Sequence, residues 1–253
     1  MSLIISIANQ KGGVGKTTTA VNLAASLAAA EQPCLLVDCD PQGNATTGLG
    51  IDRPALSAGT YDLLFQGVDP ISTVVKCDLP TLGIIPADER LIGAEVEIAE
   101  QPDREFRLKK SLDTFRGTYP YILLDCPPSL GYLTLNAMTA SDAVLIPLQC
   151  EYYALEGLSQ LLKTVKAVRK TLNPALRLQG ILLTMYDKRN NLSEQVAQEV
   201  RSYFPGYVYQ TMIPRNVRLS EAPSHGKPAI LYDIRSSGAQ SYLSLATEIL
   251  RRK

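Results

Sequence analysis

The sequence has no tryptophan and a single histidine, His225. One imidazole cannot build a multi-histidine metal centre, and alone in a loop it reads as structural rather than catalytic. The cysteines at 34, 39, 77, 126 and 150 are odd in number, scattered and never spaced C-x-x-C. That excludes a zinc finger or a disulfide framework and fits a reducing cytoplasm. No apolar run approaches the ~18 residues that span a bilayer, and Met1 leads into "LIISIA" without the basic stretch of a secretory signal. Net charge is missing too, since 25 Lys+Arg balance 25 Asp+Glu, so no global field draws a polyanion. The charges are unevenly placed, however. From residue 186 onward there are 10 Lys+Arg against 6 Asp+Glu, and before it 15 against 19. A polyanion would dock on the C-terminal quarter.

What is present is an ordinary globular composition, 45% hydrophobic and 20% charged over 253 residues, with no repeat, low-complexity tract or long linker. One domain over 1–253 is expected. Apolar runs at 3–8, 34–38, 82–87, 121–125, 143–148, 180–185 and 207–213 are mostly continuous rather than alternating, as in strands covered on both faces. Helical candidates lie at 17–30, 88–98, 103–116, 154–171, 192–203 and 238–252. In the fourth, Leu155, Leu158, Leu161, Leu162, Val165 and Val168 mark one buried face. Strand–helix alternation predicts a doubly wound, mostly parallel α/β sheet flanked by helices, with its ligand site beyond the carboxyl ends of the strands. Asn9, Lys11, Asp38, Asp40 and Asp125 all fall at such ends.

"KGGVGKTTT" at 11–19 follows the first run and opens a helix. A glycine-rich loop wraps phosphate oxygens with its N–H groups, and a lysine and hydroxyl complete the cradle. Lys11, Gly12, Gly13, Val14, Gly15, Lys16, Thr17 and Thr18 are therefore candidate contacts to ATP, in a P-loop NTPase with Gln10 where the first glycine of the strict pattern belongs. Lys16 would reach the β/γ-phosphates and Thr17 would ligate Mg²⁺. Asp125, closing "YILLD", is the candidate to hold Mg²⁺ through water. Asp38 joins it as a candidate metal residue, and Asp40 could orient the attacking water. The "QGNATTGLG" that follows suits a segment that moves between nucleotide states.

Together, "KGGVGKTTT", "DCDPQGNAT", "DCPPSLG", "QCEYYALEGL", "LLTMYD" and "IPRNVRLSEAPSHGKP" resemble the ParA/Soj family of chromosome-partitioning ATPases, the deviant Walker A class, from residue 3 to about 250. The resemblance implies that Lys11 crosses a dimer interface to the nucleotide of a second subunit, so that ATP binding yields a homodimer. It makes Lys11, Lys16 and Asp40 the catalytic set and places Pro214 and Asn216 beside the adenine. It also implies non-specific double-stranded DNA as ligand, through Arg189 and Arg218, and a ParB-type centromere-binding partner that stimulates hydrolysis. A cytoplasmic, nucleoid-associated location follows, without stable membrane association.

The alternative is a MinD-like membrane switch, which shares the two-lysine loop and uses a C-terminal amphipathic helix as its foot. Here the last helix carries Tyr242, Ala246, Ile249 and Leu250 on one face and ends in Arg251, Arg252 and Lys253. That spacing equally suits docking on the sheet, with the cations at the negative helix end. A nitrogenase-reductase-like electron carrier is disfavoured because Cys126, directly after Asp125, is poorly placed for a shared cluster. No helix-turn-helix pattern and no extension before the first strand are present, so backbone-directed DNA binding is expected rather than operator recognition.

Overall fold

The computed structural model describes residues 2–65 and 67–252, so Lys253 lies outside the described residues. Seven strands form one sheet: β1 (Leu3–Ile7), β2 (Cys34–Asp38), β3 (Val75–Lys76), β4 (Leu82–Ile85), β5 (Tyr121–Asp125), β6 (Ala143–Gln149) and β7 (Arg177–Thr184). Their order is β3-β4-β2-β5-β1-β6-β7, parallel throughout except for the short β3 edge. Successive residues point to opposite faces. Leu35 and Val37 join one core layer while Cys34 and Leu36 join the other, and Ile122 and Leu124 part from Tyr121 and Leu123 in the same way. Helices on both faces cover these side chains, which is why the strands read as unbroken apolar runs.

On one face lie the Lys16–Ala29 and Ser237–Arg251 helices. The second buries Tyr242, Leu245, Ala246 and Ile249, and the Tyr242 hydroxyl meets Thr19 Oγ1 at 3.1 Å. The face considered for a membrane foot is thus packed inside. Among the described residues no helix is long and apolar enough to cross a membrane. The opposite face carries Leu91–Ala99, Arg107–Leu112, Tyr132–Ala140, Ala154–Thr171 and Asn191–Tyr203.

Two expectations change. The run 207–213 forms no strand, although Val208 makes an isolated parallel bridge to Ile181 and Ile213 N donates to Leu183 O at 2.9 Å. Between those contacts the backbone is claimed elsewhere, because Glu248 takes the N–H groups of Gln210 and Thr211 at 2.9 and 3.0 Å. Those donors cannot then extend a ladder beside β7. The candidates 88–98 and 103–116 shorten to Leu91–Ala99 and to Arg107–Leu112 followed by a 3₁₀ turn at Asp113–Phe115. Tyr132–Ala140 is a helix the apolar pattern does not announce. It buries Thr134, Asn136 and Thr139 along with Leu133, Ala137 and Met138, so it has no polar face to alternate with.

Glu248 also pairs with Arg252 at 2.7 Å. Replacing it with alanine leaves two backbone donors without their charged acceptor. Glu248→Ala should therefore lower unfolding free energy by about 1–2 kcal/mol in chemical denaturation. An unchanged midpoint would show that the 207–213 segment is held by other contacts.

Candidate active site

The strand register builds the rim. Ile7 lies opposite Asp125 on one side of β5, and Asp38 lies opposite Asp125 on the other. The carboxyl ends of three adjacent strands thus bring together the loop after β1 and two acids. Asn9 fixes the start of that loop, since its amide donates to Pro147 O at 2.7 Å and its Oδ1 accepts from Lys11 N at 3.0 Å. Thr184 fixes the middle by donating to Val14 O at 2.8 Å. Gly13 and Gly15 sit at φ 74° and 89°, where a side chain would be strained, and Gly15 leads directly into the helix beginning at Lys16. A Cβ on Gly12 or Gly13 would meet nothing within 4 Å, so the outer wall of the loop is open.

Lys16 is buried, and its ammonium donates to Lys11 O at 3.2 Å. Burial lowers its pKa, while the charges of Asp125 and Asp40 pull it back up. Lys11 points away and forms an ion pair with Glu151, at the start of the "EYYALEGL" stretch. The two lysines of one loop therefore have separate addresses.

Asp125 is fully buried, and among the described residues neither carboxylate oxygen meets a donor with full hydrogen-bonding geometry. Burial drives its pKa far upward, Asp38 and Asp40 add to the rise, and the Thr17 hydroxyl offsets it only in part. Two unmatched oxygens beside a threonine hydroxyl and a buried lysine suit a hard divalent cation, which takes oxygen ligands. Among the described residues no three His, Cys, Asp or Glu side chains gather around one point as a metal cage. A cation here would share its shell with water and substrate phosphates, the usual arrangement for Mg²⁺.

Asp38 is placed differently. Its Oδ1 accepts from Asp40 N at 3.2 Å, and its Oδ2 accepts from Thr46 N and Thr46 Oγ1 at 2.8 and 2.7 Å. Burial still pushes it up to about 6. It anchors the segment that carries Asp40. Arg53, which nothing in the sequence pattern singles out, clamps the same segment. Its guanidinium donates to Pro41 O (3.0 Å), Gln42 O (2.9 Å) and Ala87 O (3.0 Å). It packs so closely under Gly43 that a Cβ there would lie 2.6 Å from Cζ. Only glycine fits that turn.

Pro214 and Asn216 line a cleft of about 330 Å³ with Gly15, Thr18 and Met185. Asn216 caps the following Val217–Glu221 helix, its Oδ1 accepting from Arg218 N at 3.0 Å. Arg189 and Arg218 lie outside the phosphate loop. Arg189 pairs with Asp187 at 3.0 Å, and Arg218 pairs with Glu221 at 2.8 Å and Asp233 at 3.4 Å. His225 stacks on Tyr232.

Known proteins resemble this arrangement closely. The AAA domain family matches residues 2–178. The sporulation initiation inhibitor protein Soj of Bacillus subtilis is 58% identical over 249 residues, covering 98% of each chain. The chromosome partitioning protein ParA of Caulobacter vibrioides is 55% identical over 252 residues, covering 99% of this chain and 94% of that one. Among solved structures, cobyrinic acid a,c-diamide synthase from Mycobacterium smegmatis, with bound ATP analog and magnesium, superposes with a TM-score of 0.88 at 36% identity, over 100% of this chain and 96% of that one.

Asp125→Asn removes the charge from two buried oxygens that lack donors, a relief of about 1–3 kcal/mol. The free variant should melt no lower than wild type and up to several degrees higher, at roughly 2–4 °C per kcal/mol. Addition of a divalent cation with nucleotide should raise the melting temperature of wild type and leave the variant nearly unmoved. Differential scanning calorimetry reads both effects. Equal rises in the two proteins would remove Asp125 from the cation site.

Proposed function

The chain belongs to the ParA/Soj family of chromosome-partitioning proteins, and from that premise we propose how its site works and on what. The enzyme hydrolyses ATP with Mg²⁺ as cofactor and acts in DNA partition. ATP occupies the loop 11–18, with Lys16 on the β/γ-phosphates and the base in the cleft bordered by Pro214 and Asn216. Thr17 and, through water, Asp125 would hold Mg²⁺, with Asp38 as a further metal residue, and the cation would neutralise phosphate charge. Asp40 orients the attacking water, and Arg53 holds the turn that aims it. The single observation that carries this reading is the donor-free, buried carboxylate of Asp125 beside Thr17 and Lys16.

Lys11 serves a second copy of the chain. It points away from its own cradle and rests on Glu151, and the nucleotide of a facing subunit offers it a stronger anion. ATP then holds two subunits face to face, and hydrolysis separates them. Double-stranded DNA binds the basic C-terminal quarter without sequence preference. Lys188, Arg189 and Arg215 line an open cleft of about 600 Å³ with Asp187, Ser237 and Ser241, and its cations and hydroxyls outnumber the one carboxylate, which suits phosphates. A dimer doubles that surface. A ParB-type protein stimulates hydrolysis and resets the cycle, and the location is cytoplasmic, on the nucleoid.

Two sets of variants test this. Lys11→Ala should still bind nucleotide but fail to dimerise, whereas Asp40→Ala should dimerise on ATP and stay dimeric. Analytical ultracentrifugation separates the cases, and a Lys11→Ala protein that dimerises normally would end its role in trans. For DNA, Arg189→Ala or Arg218→Ala should weaken binding equally on unrelated duplexes. Each should also lower the slope of log affinity against log salt, by roughly 0.9 per lost phosphate contact. Basal ATPase should persist. Filter binding across a salt series on two duplexes decides it: an unchanged slope would leave the arginines to their ion pairs with Asp187 and Glu221.

A further inference from the structure

The Leu91–Ala99 helix sends Leu91, Ala94 and Ile98 into the core. Its outer side carries two large aliphatic residues, Ile92 at 66% and Val96 at 74% exposure. Four residues apart, they sit one turn above another. Glu89, two residues before the helix begins, and Glu100, its C-cap, stand at its two ends and are exposed. Neither forms an ion pair among the described residues. The neighbouring cations are occupied. Arg90 bridges Asp62 and Asp88, and Arg104 holds Glu105 and Ala99 O. This face thus has an apolar centre and an acidic rim, within the part of the chain that carries the excess of acids.

Resting on the partition reading above, we propose that this face docks a basic, partly apolar segment of the ParB-type partner. Its charge selects among occupants. DNA and anionic lipid headgroups are repelled by Glu89 and Glu100. A second copy paired through the same face sets like carboxylates against each other, because a two-fold interface is self-facing. A polypeptide with lysine or arginine flanking apolar side chains satisfies both centre and rim.

The face is also wired to the site. Ala87 precedes the helix by a few residues, and its N–H donates to Thr46 Oγ1 at 2.9 Å while its carbonyl accepts from Arg53. Thr46 is bound to Asp38, and Arg53 to Pro41 and Gln42. A shift of the helix start on docking therefore reaches the Asp40 turn through one threonine and one arginine, which gives the partner a physical route to accelerating hydrolysis.

The test is the ATPase rate of full-length protein with DNA, titrated with the purified ParB-type protein of the same cell. Two surface variants are compared with wild type: Ile92→Ser with Val96→Ser, and Glu89→Lys with Glu100→Lys. None of the four residues touches the nucleotide site, so basal rate and circular dichroism should match wild type. Stimulation should fall by about tenfold or more at a fixed partner concentration in each variant. Wild-type stimulation of both variants overturns the docking surface and leaves the partition reading intact. Failure of the partner to stimulate wild type at any concentration overturns the partition reading, and this proposal with it.

Discussion

Three carboxylates at the ends of neighbouring strands set the terms for this structure. Parallel pairing of β2 and β5 puts Asp38 directly across from Asp125, and Asp40 lies two residues further on. All three are buried, where like charges repel strongly and hydration is lost. Lys16 opposes them, and burial weakens its own hold on a proton. Such a cluster persists because the surrounding apolar sheet is rigid, and because Asp38 is satisfied by Thr46 and Asp40 donors while Asp125 is left free. The arrangement stores a preference for a divalent cation and phosphates, and the remaining site residues are held in place around it.

The clamps give that preference a direction. Asn9 and Thr184 fix the phosphate loop from β6 and β7, so the cradle is tied to the half of the sheet that bears the basic cleft. Arg53 and Thr46 fix the Asp40 segment from the other half, next to the acidic helix.

Much of this could be read from the residues in order. The runs 34–38 and 121–125 are strands to the residue, because continuous apolar stretches bounded by proline and aspartate have few other solutions. The phosphate loop was legible because its chemistry is local, with glycine, lysine and threonine at fixed spacing after a strand. Glu248 and Arg53 were not legible. Each acts on backbone 11 to 38 residues away, and its role exists only once the sheet has closed. The run 207–213 misled for the same reason: its side chains favour a strand, but Glu248 reaches its donors first. Tyr132–Ala140 was hidden because a helix buried on nearly every side has no stripe. Glu151 stood in a quoted motif without a role until Lys11 was seen to rest on it.

We propose that the rim accepts cation and triphosphate together and converts them into a contact between two copies. Light scattering after size exclusion of the wild-type protein, run with Mg²⁺ and ATP, with Mg²⁺ and ADP, and with ATP plus EDTA, measures this directly. A doubling of mass with Mg²⁺ and ATP, absent from the other two, is the predicted result. A mass that is the same in all three would contradict it.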